Sequence, residues 1–199
     1  MLNFIYFPFL VYTIFMFDFL KITDNNFSLF IYQSFPHTGA LDIFFATLSG
    51  IGELGVVWII FGIFLYVIGE IKHKEKIWAL IWVVLLSLVF TEYILKNLIR
   101  RSRPDVFITS MMAFFSDNTY AFPSFHATVA FACAYVLAKG HKKLDYFYYG
   151  LAVLIAFSRI YLGKHYILDV LAGSILGLLI GYVSVKITDS LTRTTKKKG

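Results

Sequence analysis

The chain has 199 residues, of which 59% are hydrophobic and 15% are charged, and its formal net charge is +6. A soluble domain has about 45–50% apolar and about 25% charged residues. So much apolar surface cannot be buried in a small soluble core, which excludes an ordinary soluble domain and favours a membrane protein. The lone cysteine, Cys133, cannot form a disulfide within the chain and is expected to be a packed, unreactive thiol.

Apolar segments long enough to cross a membrane recur along the chain. A bilayer core about 30 Å thick needs roughly 20 mostly apolar residues for each helical span. Six segments meet or approach this length: residues 3–20, 41–69, 77–97, 126–139, 145–162 and 166–187. The fourth is short and is expected to gain length from flanking residues. The sixth contains Gly173, Gly177 and Gly181, a four-residue spacing that lets a neighbouring helix approach closely.

These segments predict an all-α, polytopic integral membrane protein with six transmembrane helices in a bundle. The first span follows no basic residue and precedes no small-residue cleavage site, so we expect a helix and not a signal peptide. Residues 21–40 predict a short amphipathic helix at the interface, followed by a turn at Pro36 and Gly39. The long polar connection is 98–125, and such connections are often functional. Without repeats or linkers, residues 1–199 form a single predicted domain.

The basic residues predict the orientation of the bundle. Eleven of the eighteen Lys and Arg residues lie between spans two and three, between spans four and five, or in the tail: Lys72, Lys74, Lys76, Lys139, Lys142, Lys143, Lys186, Arg193, Lys196, Lys197 and Lys198. With six spans these regions share one side, which is expected to be cytoplasmic and to include the C-terminus. Most of the other basic residues flank spans three and five on the opposite side, where they indicate an anionic ligand.

The first candidate segment of a site is "KNLIRRSRP", from Lys96 to Pro104. If the helix of the third span continues outward, Lys96, Arg100 and Arg103 lie near one face of it. Glu92 lies one turn earlier, where it is placed to pair with Lys96. The alternative interpretation is the basic end of a membrane helix, whose side chains extend to the interface.

The second segment is "FPSFHAT", residues 122–128. Pro123 and Ser124 precede a helical pattern, so Ser124 is predicted to be the N-cap. The first turn of a helix offers unpaired N–H groups and a positive dipole end, which suit a phosphate. His126 would lie beside that position. The alternative is an ordinary capped helix with a histidine at the interface.

The third segment is "SRIYLGKHYILDV", residues 158–170. His165 and Asp169 are four residues apart at the start of the sixth span, so their side chains meet on one helix face. A carboxylate there can hold one imidazole nitrogen protonated and leave the other free to attack. Arg159 ends the fifth span, and its planar guanidinium suits phosphate oxygens. A polar interfacial turn is the alternative, but ionisable groups in membrane spans are costly and typically functional.

All three segments fall on the same side of the membrane in the six-span arrangement, which favours one shared site over unrelated polar ends. The other histidines, His37, His73 and His141, are expected at the solvated surface. No cluster of carboxylates indicates a metal, since Asp105 and Asp117 are isolated in the loop. Neither a metal nor another cofactor is therefore expected.

The three segments together resemble the type 2 phosphatidic acid phosphatase family. Its signature is Lys, six residues, Arg-Pro; then Pro-Ser-Gly-His; then Ser-Arg, five residues, His, three residues, Asp. This sequence matches its order and spacings with Lys96, Arg103-Pro104, Pro123-Ser124-Phe125-His126, Ser158-Arg159, His165 and Asp169. The resemblance covers about residues 40–187, which leaves the predicted span 3–20 as an extra N-terminal segment.

Phe125 stands where the commonest form of the signature has glycine. If that glycine supplied an unusual backbone angle, phenylalanine would fit poorly. If it supplied only an N–H group to the phosphate, phenylalanine would serve as well. The second interpretation is favoured, and the side chain of Phe125 would then narrow the pocket or touch lipid.

The resemblance implies a metal-independent phosphatase that acts through a phosphohistidine. His165 would be the nucleophile, Asp169 would orient it, and His126 would serve as general acid and then as general base. The expected phosphate-binding groups are Lys96, Arg103, Arg159, Ser124 and the backbone N–H of Phe125.

The expected protein is a multi-pass lipid phosphatase of the inner (plasma) membrane, with its site facing the periplasm. Its partners would be the bilayer and a lipid phosphate, without nucleic acid, and its oligomeric state stays open. Undecaprenyl diphosphate is the first candidate substrate, closely followed by phospholipid and lipid A phosphates. Two alternatives remain: a lipid phosphotransferase with the same phosphohistidine, and a lipid-phosphate binder or transporter without turnover.

Overall fold

The computed structural model describes residues 3–52, 55–71, 74–104 and 119–196, with side chains between residues 18 and 193 of these ranges. The described chain is helical and contains no strand, which confirms the all-α prediction. Its helices are α1 Asn3–Ser34, α2 Gly39–Ile51, α3 Val56–Val67, α4 Glu75–Ser87, α5 Lys96–Ile99, α6 Phe125–Gly140, α7 Asp145–Tyr161 and α8 Ile167–Lys196. A π-helix, Leu88–Leu95, joins α4 to α5, and a 3₁₀ turn, Lys142–Leu144, precedes α7.

The six predicted spans are not all confirmed. In the described ranges, the segments Glu75–Ile99 and Ile167–Arg193 are long and apolar enough to cross a membrane. The pair α2 and α3 forms a third candidate span if the two helices, which meet at a 71° bend, are taken together. Helix α6 is apolar but shorter than a span.

Helix α6 is the centre of the bundle, which accounts for its short length. Nearly all its side chains are buried, and α3, α4, α7 and α8 pack around it. A helix that is apolar on every side is buried within the protein and does not need to face lipid. The thiol of Cys133 lies in this core and is fully buried, as the sequence predicted.

The separate interfacial helix predicted for residues 21–40 is wrong. Residues up to Ser34 continue α1 without a break. The reason is that neither proline nor glycine occurs between Phe9 and Phe35, so no residue interrupts the hydrogen-bond ladder. The predicted turn is confirmed at Pro36, where the chain has left α1, but not at Gly39, which is the first residue of α2 after the Thr38 cap.

The three glycines of α8 lie directly against the backbone of α6. A Cβ atom added to each would come within 2.8 Å of an α6 carbonyl oxygen: Gly173 to Ser124, Gly177 to Thr128 and Gly181 to Ala132. Both helices therefore advance in steps of four residues along one contact line. The predicted close approach is confirmed, and it fixes the start of α6 against the start of α8.

The loops lie at two opposite ends of the bundle. Gly140, at the end of α6, lies beside Ile71 and Lys76, and His141 lies 3.1 Å from the Glu70 carboxylate. The two basic loops predicted to be cytoplasmic therefore meet at one end. The starts of α6 and α8 and the end of α7 meet at the other.

We predict that Gly177→Ala destabilises the bundle, because its Cβ would lie 2.3 Å from the Thr128 carbonyl oxygen. Overpacking of this kind costs about 1–3 kcal/mol. Gly150→Ala is the matched control, since a Cβ on Gly150 of α7 meets no atom within 4 Å and alanine favours the helix. Thermal unfolding in detergent, followed by the reaction of a thiol dye with Cys133, should give a lower Tm for Gly177→Ala alone. Equal Tm values for both variants would contradict the close contact.

Candidate active site

Thr119 brings the two motif cations Lys96 and Arg103 together. Lys96 is buried at the end of the π-helix, and its Nζ donates to the Glu92 carboxylate and, at 3.0 Å, to the Thr119 hydroxyl. Arg103 donates from Nε to the Thr119 carbonyl oxygen at 2.7 Å and from its terminal nitrogen to the Thr119 hydroxyl at 3.2 Å. One residue thus holds both cations in place. The predicted pairing of Glu92 with Lys96 is also confirmed.

The prediction that Arg100 shares a helix face with these cations is wrong. Helix α5 ends at Ile99, and Arg100 adopts a left-handed conformation with φ of 51°. Its guanidinium bonds the Asn97 carbonyl oxygen at 2.9 Å and is exposed. Lys96 and Arg103 meet because the chain turns back at Arg100, and not because a helix continues.

The start of α6 presents Ser124 and His126 to the same region. Ser124 is the N-cap residue, as predicted, and its backbone N–H donates to the Asp169 carbonyl oxygen at 2.9 Å. Its side chain is fully buried, yet its Oγ makes no hydrogen bond within the described chain. Buried hydroxyls are usually paired, so this one is available to a ligand oxygen. His126, in the first turn, is 8% exposed.

Phe125 has no unusual backbone angle, because its φ is not positive. The position therefore does not require glycine for conformational reasons, and the interpretation favoured from the sequence is supported. The side chain, however, is 7% exposed and packs into the core of the bundle. Burial in the core disfavours the second of the two expected roles of this side chain, contact with lipid, and narrowing of the pocket stays a prediction.

His165 lies in the loop between α7 and α8. Gly163 turns the chain with φ of 62°, and the N–H groups of Lys164 and His165 both donate to the Arg159 carbonyl oxygen, at 3.0 and 3.2 Å. The His165 Nδ1 faces an Asp169 carboxylate oxygen at 3.5 Å, which is long for a hydrogen bond. Catalytic hydrogen bonds are often long before substrate binds.

The other ring nitrogen identifies the tautomer of His165. Nε2 lies 3.3 Å from a terminal nitrogen of Arg103, which also donates to the Lys164 carbonyl oxygen at 3.0 Å. A guanidinium only donates hydrogen bonds, so this contact favours the tautomer with the lone pair on Nε2 and the proton on Nδ1. In that tautomer the Nδ1 proton faces Asp169.

The surroundings of His165 keep its ring neutral. Burial lowers the pKa of His165 most, and the charges of Arg159, Arg103, His126 and Lys96 lower it further, well below the ordinary histidine value. Each of these groups was predicted from the sequence to belong to the site. Arg159 is itself buried and donates to the Ser49 hydroxyl of α2.

Two cavities adjoin this cluster. One of about 380 Å³ is lined by Lys96, Arg103 and Thr119 with their neighbours. The second, of about 220 Å³, adjoins His165 and is lined on one side by α1. The described residues contain no group of three His, Cys, Asp or Glu side chains that could hold a metal ion, and metal independence stays a prediction.

Sequence reasoning missed the contribution of α1 and left the role of Arg101 open. Arg101 donates to an Asp169 carboxylate oxygen at 2.8 Å and to the Asp24 carboxylate of α1 at 2.7 Å. Thr119 was also missed. Only the position of Arg101 within a basic run could have indicated its role, since Asp24 and Thr119 belong to no motif.

We predict that the His165 ring is neutral, with its proton on Nδ1, at the pH of about 6.5 where an ordinary histidine is half protonated. A lowered pKa means that the ring gains its second proton only at more acidic pH. The measurement is ¹⁵N NMR of histidine-labelled protein in detergent, with the His165 signals assigned by their loss in His165→Gln. An imidazolium signal for His165 at pH 6.5 would contradict the inferred tautomer and its surroundings.

The family of the chain follows from comparison with known proteins. A model of the PAP2 superfamily matches residues 76–193. The match covers more than half of the 199 residues and includes every predicted site residue from Lys96 to Asp169. The chain belongs to the PAP2 superfamily, and the resemblance seen in its three motifs is confirmed.

Its relatives include named phosphatases. Phosphatidylglycerophosphatase B of Bacillus subtilis (strain 168) is 36% identical over 116 residues, which cover 52% of this chain and 54% of that protein. Undecaprenyl-diphosphatase BcrC of the same organism is 32% identical over 71 residues, covering 36% of this chain and 37% of that protein. The chain thus spans about half, or less, of the length of these curated relatives.

Solved structures share the fold. The crystal structure of Aquifex aeolicus LpxE superposes with a TM-score of 0.59 and 30% identity, covering 75% of this chain and 88% of that one. A transmembrane PAP2-type phosphatidylglycerolphosphate phosphatase from Bacillus subtilis gives a TM-score of 0.65 over 86% of each chain. At 24% identity, the second comparison supports the fold alone.

Proposed function

We propose that the chain is an integral membrane lipid phosphatase that acts through a phosphohistidine on His165. The observation that carries this proposal is the 3.3 Å distance between Nε2 of the buried His165 ring and the guanidinium of Arg103, in surroundings that lower the pKa of His165. Arg103 is a phosphate-binding group in this scheme, so a bound phosphate would lie within reach of Nε2. The relatives named phosphatidylglycerophosphatase and undecaprenyl-diphosphatase support the same class of reaction.

In the first step, Nε2 of His165 attacks the terminal phosphorus atom, and the bond from phosphorus to the leaving oxygen breaks. That oxygen belongs to the lipid hydroxyl of a monophosphate or to the lipid phosphate of a diphosphate. His126, protonated, gives its proton to the departing oxygen. The Nδ1 proton stays on the ring, which becomes cationic as the P–N bond forms. The carboxylate of Asp169 faces this proton and stabilises the positive charge.

In the second step, water attacks the phosphohistidine. His126, now neutral, accepts a proton from that water, the P–N bond breaks, and inorganic phosphate leaves. The electron pair returns to Nε2, so His165 is neutral again and His126 is again protonated. His165 and His126 thereby take part in both steps of the proposed reaction.

Fixed cations supply most of the stabilisation in this proposal. Negative charge spreads over the equatorial phosphoryl oxygens during transfer, and catalysis comes mainly from positioning and electrostatic stabilisation. Lys96, Arg103 and Arg159 are all held by hydrogen bonds to neighbouring side chains before substrate arrives. The unpaired Ser124 hydroxyl and the N–H of Phe125 complete the proposed phosphate cradle.

We place the site at the outer face of the inner (plasma) membrane, with the C-terminus in the cytoplasm. The basic loops that meet beside Gly140 lie at the opposite end of α6 from Ser124, and basic loops face the cytoplasm. The proposed substrate is a lipid phosphate or diphosphate whose chain stays in the bilayer. Undecaprenyl diphosphate is the first candidate, followed by phospholipid and lipid A phosphates.

The function is tested with purified protein and a panel of these lipids, scored by release of inorganic phosphate. We predict that the wild type releases phosphate from at least one lipid and that EDTA does not change this release. His165→Ala should release no phosphate while its Tm stays that of the wild type. Release by His165→Ala at the wild-type rate would contradict the nucleophile. Phosphate that moves only to a lipid hydroxyl would indicate the phosphotransferase, and binding without turnover would indicate a binder.

Within the same assay, Ser124→Ala separates phosphate binding from folding. Its Oγ bonds nothing in the described chain, so removing it should not lower the Tm. A lost hydrogen bond to a charged phosphate should lower kcat/KM by about 10- to 100-fold. Ser184→Ala is the matched control. Ser184 is equally buried, and its hydroxyl has no hydrogen-bond partner among the described residues, but it lies on α8 away from the start of that helix. Equal kcat/KM for both variants would contradict the proposal that Ser124 binds phosphate.

A further inference from the structure

Arg101 joins the candidate active site to α1. One terminal nitrogen donates to Oδ1 of Asp169 at 2.8 Å. The other donates to Oδ2 of Asp24 at 2.7 Å and to the side-chain oxygen of Asn25 at 3.1 Å. The guanidinium also lies 3.9 Å from the centre of the Tyr166 ring. Contacts to two carboxylates and an aromatic face hold the orientation of this side chain.

Side chains of α1 also cap the start of α8. The Ser28 hydroxyl accepts a hydrogen bond from the Ile167 N–H at 2.9 Å, and Oδ1 of Asp24 accepts one from the Leu168 N–H at 3.1 Å. The first N–H groups of a helix lack partners within it and are usually capped by nearby residues. Here the two capping residues, Ser28 and Asp24, lie 139 and 144 residues before the N–H groups that they cap. The helix that carries Asp169 is therefore anchored to α1 at its first turn.

These contacts determine which oxygen of Asp169 serves His165. Arg101 occupies Oδ1, whereas Oδ2 accepts the Tyr166 N–H at 2.9 Å and faces Nδ1 of His165. With both oxygens engaged, the carboxylate cannot rotate freely. Asp169 is fully buried and Asp24 is 6% exposed, so each negative charge depends on a neighbouring cation. Arg101 serves both.

We propose that Arg101, held by Asp24, is a positioning residue that fixes Asp169 and thereby the tautomer of His165. The inference rests on the proposed function of His165 and extends the site to α1, which lies outside residues 76–193 matched by the superfamily model. Arg101 acts through Asp169. Its removal should therefore lower kcat and leave KM nearly unchanged.

The first test is Arg101→Gln, with Arg100→Gln as the matched control. Arg100 is exposed, and among the residues that the structure describes its side chain bonds the Asn97 carbonyl oxygen of its own turn. We expect ¹⁵N NMR to show His165 with its proton on Nδ1 in the wild type and in the control. In Arg101→Gln, both tautomers should be populated. We also expect kcat to fall by about 100-fold, the loss typical of a displaced catalytic group.

The second test is Asp24→Asn, with the exposed Asp18→Asn as its control. Asparagine keeps the shape and an oxygen that can accept the Leu168 N–H, so this variant is expected to fold even if Arg101→Gln does not. It should populate the second tautomer in the same direction as Arg101→Gln. The double variant should be no worse than Arg101→Gln alone, because both changes act on one contact chain.

The outcomes separate this inference from the proposed function. An unchanged tautomer in both folded variants overturns the positioning role, as does a higher KM with unchanged kcat, which would make Arg101 a direct phosphate ligand. The NMR measurement needs no turnover. If the wild type releases no phosphate from any lipid while the tautomer shifts as expected, the positioning role stands and the phosphatase function fails.

Discussion

The close contact between α6 and α8 is the constraint on which the candidate site depends. Gly173 lies against the Ser124 carbonyl oxygen, and the Ser124 N–H in turn donates to the Asp169 carbonyl oxygen. A larger side chain at Gly173 would separate the cap of α6 from the first turn of α8. The glycine spacing thus does more than pack two helices, because it sets the start of α6, which carries Ser124 and His126, beside the start of α8, which carries Asp169.

Balanced charge is the second requirement of a site buried in an apolar bundle. The groups with unlike charge are paired across elements: Lys96 with Glu92, and Arg101 with both Asp24 and Asp169. Charged groups are costly to bury unless they are paired, so each pairing favours this one arrangement. Burial lowers the pKa of His165 most, and the surrounding cations lower it further, so the ring stays neutral. In the proposed reaction the same cations both hold phosphate and keep the His165 ring neutral.

The motifs could be predicted from sequence because their geometry is local. Four-residue spacing aligns the glycines of α8, and the N-cap of α6 follows from Pro123-Ser124. The predicted meeting of His165 and Asp169 on one helix face is wrong, because α8 begins at Ile167 and His165 faces Asp169 from the preceding loop. The contacts of Asp24 and Thr119 could not be predicted, because they join residues far apart in the chain and follow no periodic pattern. The Arg100 prediction was wrong because one left-handed residue ended the helix. Six spans were predicted from hydropathy, but a central helix such as α6 is apolar without facing lipid.

The most direct test of the central claim is a crystal structure of the protein with orthovanadate, a phosphate-like ion that accepts a fifth ligand. The account predicts vanadium bonded to Nε2 of His165, with oxygens contacting Arg103 and the Ser124 hydroxyl and with His126 on the opposite side. Vanadate bound away from His165, or imidazoles of His126 and His165 that do not face one ion, would contradict it.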